Sequence, residues 1–128
     1  MKKIAQQHNG FTLIELMVAM AIIALLLSIV TPRYFHSVSK AEEAVLRQDL
    51  ALMRETVDKY HADTGKYPDV LDDIVTKKYL FKVPVDPVTE SAETWILIPP
   101  PNTEKGLIAN IKSGAPGISL DGTAYVDW

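Results

Sequence analysis

The sequence predicts an α+β chain: a long N-terminal helix spine packed against a small antiparallel β-sheet of about three strands. Three observations carry this. Phe11 to Val30 is an unbroken apolar run, and Arg33 to Ala62 contains neither Gly nor Pro and keeps apolar residues at helical spacing. Past Gly65, short β-prone segments alternate with turns rich in Pro and Gly. Within Phe11 to Val30 the one ionisable side chain is Glu15, and strong helix formers supply most of the rest. At about 1.5 Å per residue this run reaches about 30 Å, the thickness of bilayer hydrocarbon.

Composition bounds the function. Thirteen Lys and Arg against sixteen Asp and Glu give a net charge of −3 over 128 residues, and losing Lys2 and Lys3 with a leader would make it −5. Either balance argues against a nucleic-acid footprint. There is no cysteine, so neither a disulfide staple nor thiol chemistry is available. The length leaves room for one domain beyond an anchor. The expected division is a polar leader over 1–10, a membrane helix over 11–32 and a globular domain over 33–128.

Lys2 and Lys3 in the leader are expected to stay cytoplasmic, sending the C-terminal part across the membrane. A conventional secretory signal would need a small-residue cleavage site after the apolar core. Here Ala19-Met20-Ala21 lies inside that core and is followed by Ile-Ile-Ala-Leu-Leu-Leu. Glu15 is the anomaly, because a carboxylate in hydrocarbon costs about 3 kcal/mol unless neutralised or paired. Either it is protonated or hydrated near the headgroups, or it has a cation. A cut between Gly10 and Phe11 would supply one: the new α-amine would lie one helical turn from Glu15, on the same face, free to pair within the chain or with a neighbouring chain.

These residues, a short basic leader, Gly10, then Phe11-Thr-Leu-Ile-Glu15 and a long apolar run, resemble the signal of type IV pilins and type II secretion pseudopilins. The resemblance implies that a prepilin peptidase cuts after Gly10 and that the new N-terminal Phe11 is methylated. It implies too that Glu15 helps align subunits entering a filament. Pro32 falls where many pilins carry a proline in this helix.

Beyond Pro32 the spine is expected to continue as an amphipathic helix, with Val38, Ala41, Val45, Leu46, Leu50, Met53, Val57 and Tyr60 facing the domain. At Pro32 itself, which lacks a backbone donor, either a kink or an ordinary boundary between two helices is expected. Gly65 is a natural helix stop. Asp69 is then expected to cap a short helix over Val70 to Val75. Val83-Pro84-Val85-Asp86-Pro87-Val88 is held extended, since a residue before proline is pushed out of the helical region. Strands are expected at Thr94 to Ile98, Leu107 to Lys112 and Thr123 to Asp127.

Thr64-Gly65-Lys66-Tyr67-Pro68, Tyr79-Leu80, Val83-Pro84-Val85-Asp86-Pro87 and the tail from Asp121-Gly122 to Asp127-Trp128 are similar to the G-type major pseudopilin and its pilin-like relatives. The resemblance implies the type IV pilin-like fold. By the same resemblance the chain is a subunit of a type II secretion pseudopilus that helps export proteins through the outer membrane. The precursor would be a single-pass protein of the bacterial inner membrane with a periplasmic domain. Its partners would be membrane lipid, the prepilin peptidase, other pseudopilins, the assembly platform and further copies of itself. A minor type IV pilin and a monomeric membrane-anchored binding module are the alternatives.

G-type pseudopilins commonly hold calcium in a longer acidic C-terminal loop. Here the loop is short and offers Ser119, Asp121, Asp127 and backbone carbonyls, where calcium takes about six to eight oxygens. A tight Asp121-Gly122 turn with a solvated Asp127 explains the same residues. No metal or other cofactor is expected, and Asp121 is the residue on which that expectation turns. Catalysis is not expected either. His8, His36 and His61 have no Cys, Ser or second His at useful spacing, and adjacent Asp72 and Asp73 point apart on a helix.

Overall fold

Helix α1 spans Leu13–Thr64 and runs through Pro32. The computed structural model describes residues 1–4 and 9–128, so Ala5 to His8 of the expected leader lie outside the described residues. Contacts divide the chain into two units, Met1–Ser37 and Val38–Trp128.

In the first unit, residues 9–37 are all exposed. An 18-residue window of α1 has a mean hydropathy of 2.8 with none of it buried, which is long and apolar enough to cross a membrane. Pro32 lies inside this one helix, so the boundary between two helices does not occur there. The hydroxyls of Ser28 and Thr31 donate to the carbonyls of Leu25 (2.7 Å) and Leu27 (2.6 Å), using polar groups next to the missing proline donor inside the helix.

In the second unit, α1 buries Glu43, Leu46, Leu50, Met53, Thr56, Val57 and Tyr60, at spacings of three and four. The expected stripe thus holds from Leu46 onward, but Val38, Ala41 and Val45 are exposed. Position 43, in line with 46 and 50, takes the inward place, and Val45, two residues or about 200° further on, faces away from it. Ile74, Leu80, Trp95, Ile108, Ile111 and Tyr125 complete the core against this face. The helix ends as expected, with Gly65 at φ +73° and its N–H bonded to the His61 carbonyl at 2.8 Å.

Helix α2, Leu71–Thr76, is present, but Asp69 does not cap it. The carboxylate that closes its start is Asp73, whose Oδ2 accepts the N–H groups of Asp69 (3.0 Å) and Val70 (3.2 Å). An acid in the first turn reaches back to the free donors as well as one before it would.

Strands β1, Ile96–Ile98, and β2, Asn110–Lys112, pair antiparallel with Leu97 opposite Ile111. The third expected strand, Thr123 to Asp127, does not form: only an isolated bridge joins Ile118 to Ala124, and Tyr125–Asp127 is a 3-10 turn. The sheet therefore has two strands rather than about three. The cause is that both Tyr125 and Trp128 turn toward α1. Residues three apart share a face of a 3-10 turn but point to opposite faces of a strand. Their rings meet edge to face at 5.2 Å.

Between α2 and β1, Asp86 is fully buried yet satisfied. Its Oδ1 accepts Val88 N–H (2.8 Å) and Thr89 N–H (3.3 Å), and its Oδ2 accepts the Ser113 hydroxyl (2.8 Å). Gly114, next to Ser113, allows the close approach this requires: a Cβ there would lie 2.0 Å from the Thr94 carbonyl oxygen. Gly114→Ala is expected to destabilise the domain by about 3 kcal/mol, because the clash is with backbone and cannot be relieved by a rotamer change. A urea midpoint for the detergent-solubilised variant equal to wild type would contradict this close packing.

Candidate functional site

The N-terminal junction is built by a helix start. Helix α1 begins at Leu13, so Asn9 to Thr12 lie outside it. The Glu15 N–H donates to the Thr12 hydroxyl (3.2 Å) and the Thr12 N–H donates to Glu15 Oε2 (3.0 Å). This reciprocal pair is a capping box, which satisfies two of the donors a helix start leaves unpaired and favours negative charge at that end. The signal for it, Thr followed three residues later by Glu, was present in the sequence, although there Glu15 points first to a partner cation.

The box places its carboxylate beside the Gly10–Phe11 bond. Glu15 Oε2 accepts from the residue directly after Phe11, and Asn9, Gly10, Phe11 and Glu15 line a shared shallow depression. Gly10 has no atom within 4 Å of where a Cβ would stand, and Phe11 is 92 % exposed. The bond proposed for cleavage is thus non-helical, exposed and next to a small residue, which is how proteolytic substrates present themselves. Pro32, by contrast, lies within the apolar helix and far along the chain from this junction.

At the other end of the chain, Asp121 is surrounded by donors. Its Oδ1 accepts from the Ser119 hydroxyl, the Thr123 N–H (3.0 Å) and the Thr123 hydroxyl, and its Oδ2 from Arg47 Nη2 (2.8 Å). The Ser119 and Thr123 bonds, with Arg47 adding to them, hold this carboxyl far below the usual carboxylate range. Nearby, burial and a hydrogen bond to Glu43 push the Tyr125 phenol up to about 12. That phenol donates to Glu43 Oε1 at 2.9 Å, and the same oxygen accepts Leu120 N–H at 2.8 Å. Asp127 remains exposed.

Three of the residues weighed for catalysis, His61, Asp72 and Asp73, have other partners. His61 stacks on Tyr67 with centroids 4.0 Å apart and lies 3.2 Å from Glu104. Asp72 accepts the Thr76 hydroxyl, while Asp73 closes α2. Among the described residues no three His, Cys, Asp or Glu side chains gather where a metal ion would be held.

A bare apolar helix opened by a Thr-Glu capping box directly after Gly-Phe, leading into an α+β domain, defines the pilin-like class of membrane-anchored subunits. Residues 6–31 match the family model described as the prokaryotic N-terminal methylation motif. The type II secretion system core protein G of Klebsiella michiganensis is 25 % identical over 132 residues, covering 91 % of this chain and 92 % of that protein. The core protein G of Pseudomonas aeruginosa is 32 % identical over 98 residues, covering 64 % and 69 %. That of Vibrio cholerae is 31 % identical over 102 residues, covering 68 % and 69 %. No solved structure matches the chain. The chain belongs to the type II secretion system core protein G family, the G-type pseudopilins.

Proposed function

We propose that this pseudopilin is stored in the inner membrane as a precursor with its C-terminal domain in the periplasm. It is cut between Gly10 and Phe11 by a prepilin peptidase, methylated on Phe11, and then drawn into the pseudopilus. The observation that carries this is the apolar half of α1, exposed along its whole length with a capped carboxylate at its start. Lipid covers that surface in the precursor. In a filament, neighbouring helices replace lipid, and the gain comes from tighter packing rather than from leaving water. Ala19, Ala21 and Ala24 provide small positions where helices approach closely.

Glu15 sets the register of that packing. Cleavage leaves the Thr12 N–H in place and adds an α-amine one residue earlier, so the Glu15 carboxylate gains a cation without losing its cap. The Phe11 amine of a neighbouring copy is an equivalent partner. The protein performs no catalysis in this scheme; energy for assembly comes from a separate ATPase, and other pseudopilins and the inner-membrane platform complete the machine. The family named by its relatives favours the secretion pseudopilus over a minor type IV pilin.

Two measurements test the reading. Intact mass of the protein extracted from membranes should correspond to a chain starting at methylated Phe11. The chain has no native cysteine, so single cysteines placed along Ala19 to Ile29 are unique crosslinking sites. They should give a ladder of multimers when the assembly machinery is present. A mass that includes Met1 to Gly10, or monomers alone after crosslinking, would refute it.

A further inference from the structure

The tail after β2 has no disulfide, and one isolated bridge is its sheet-like contact among the described residues. What holds it is a row of charged side chains on α1. Glu43 takes Leu120 and Tyr125 as described, while Arg47 sits between Asp121 and Trp128, its guanidinium carbon 4.0 Å from the ring centroid. Arg54 donates to the carbonyls of Ile111 (2.8 Å) and Trp128 (2.7 Å). The Trp128 indole in turn donates to the Thr123 hydroxyl at 2.7 Å. Positions 43, 47 and 54 fall on one helical face, four and seven residues apart.

Calcium, which G-type pseudopilins commonly hold in a longer acidic loop, does not suit these groups. Both Asp121 oxygens are already taken. The carbonyls of Gly117, Ser119 and Thr123 accept the N–H groups of Tyr125 (3.3 Å), Gly122 (3.0 Å) and Ser119 (2.8 Å). Calcium needs about six to eight oxygens, and in this loop both oxygens of the Asp121 carboxylate and three of the backbone carbonyls are already bonded. A guanidinium 2.8 Å from the best available carboxylate would also repel a divalent ion.

We propose that Arg47 is the cation of this loop: clamped between the Asp121 carboxylate and the Trp128 ring, it closes the tail in the manner of a bound metal and makes the fold of this pseudopilin independent of calcium. Arginine suits the role because its planar fork bonds a carboxylate at its edge while its face lies on an aromatic ring. Arg47 carries this role through the domain itself, so it holds whether or not the subunit joins a filament.

Hydrogen exchange on the full chain in detergent tests it. Arg47→Ala should speed exchange of the amides from Ile118 to Tyr125 by roughly tenfold while leaving Leu50 to Tyr60 of α1 unchanged, a local opening rather than global unfolding. Arg47→Lys, which keeps charge but not the planar face, should fall between. Asp121→Asn should reproduce the loss and serves if Arg47→Ala does not accumulate. Wild-type exchange should be the same in EGTA and in excess calcium chloride. Slower tail exchange in calcium for the wild type, or wild-type exchange rates in both Arg47→Ala and Asp121→Asn, would overturn the proposal.

Discussion

Glu15→Ala is expected to stop filament formation while the leader is still cut and the C-terminal domain still folds. Glu15 lies in the first unit and is not among the residues that form the core of the second, so that core keeps all its members. At the helix start the variant forfeits the bond to the Thr12 N–H, an exposed cap worth about 1 kcal/mol. The large effect falls on assembly. Removing one partner of a buried ion pair costs about 3 to 5 kcal/mol because the other charge is left alone, here the Phe11 amine. A loss near 3 kcal/mol per subunit lowers the association constant roughly a hundredfold, enough to abolish a polymer.

Glu15→Gln separates the two roles of this side chain. A glutamine still accepts from Thr12, so the capping box survives, but the charge is gone. Assembly should fail for Gln as it does for Ala. Normal pseudopilus yield from Glu15→Gln, scored by sedimentation and electron microscopy, would show that the cap and not the charge is what matters.

The second large effect is at Gly10. Gly10→Glu should leave the precursor uncut, with an intact mass that includes Met1 to Gly10 and a cleavage rate down by roughly a hundredfold or more, as misplacing a scissile bond commonly costs. The structure supplies the control: the site is open, with no atom near the added Cβ, so the fold does not resist the substitution. A processing defect would therefore report on the peptidase, which must approach the backbone closely where a glycine stands. Full processing of Gly10→Glu, seen as an unchanged mature mass, would place the cut elsewhere. An uncut chain has no amine at Phe11, so it should also fail to assemble, for the same electrostatic reason as Glu15→Ala.

The second half of α1 shows how far residue pattern alone reaches. Leu46, Leu50, Met53, Val57 and Tyr60 all lie inward as their spacing demands, because a helix has one period and a domain covers one face of it. The same pattern misassigns Val38 and Val45. They are apolar and adjacent to the stripe, and nothing in a period tells where along a helix the domain begins to cover it. Ile96 and Leu97, both 43 % exposed, are a similar case: a short apolar strand with neither face fully covered. At the N-terminal junction the motif was legible because its meaning is local. Thr12 and Glu15 are three residues apart, and any helix starting there forms the same box.

The sequence by itself determined the apolar anchor, the lone Glu15, the helix stop at Gly65 and the membership that these motifs signal. Each depends on neighbours a few residues away, whose geometry the backbone dictates. Only the tertiary structure decided the third strand's replacement by a 3-10 turn, the burial of Asp86 on Ser113, and the Arg47 contact with Asp121. These join groups 27 and 74 residues apart. Such pairings arise from which faces meet when the chain closes, and no local period or turn residue encodes them.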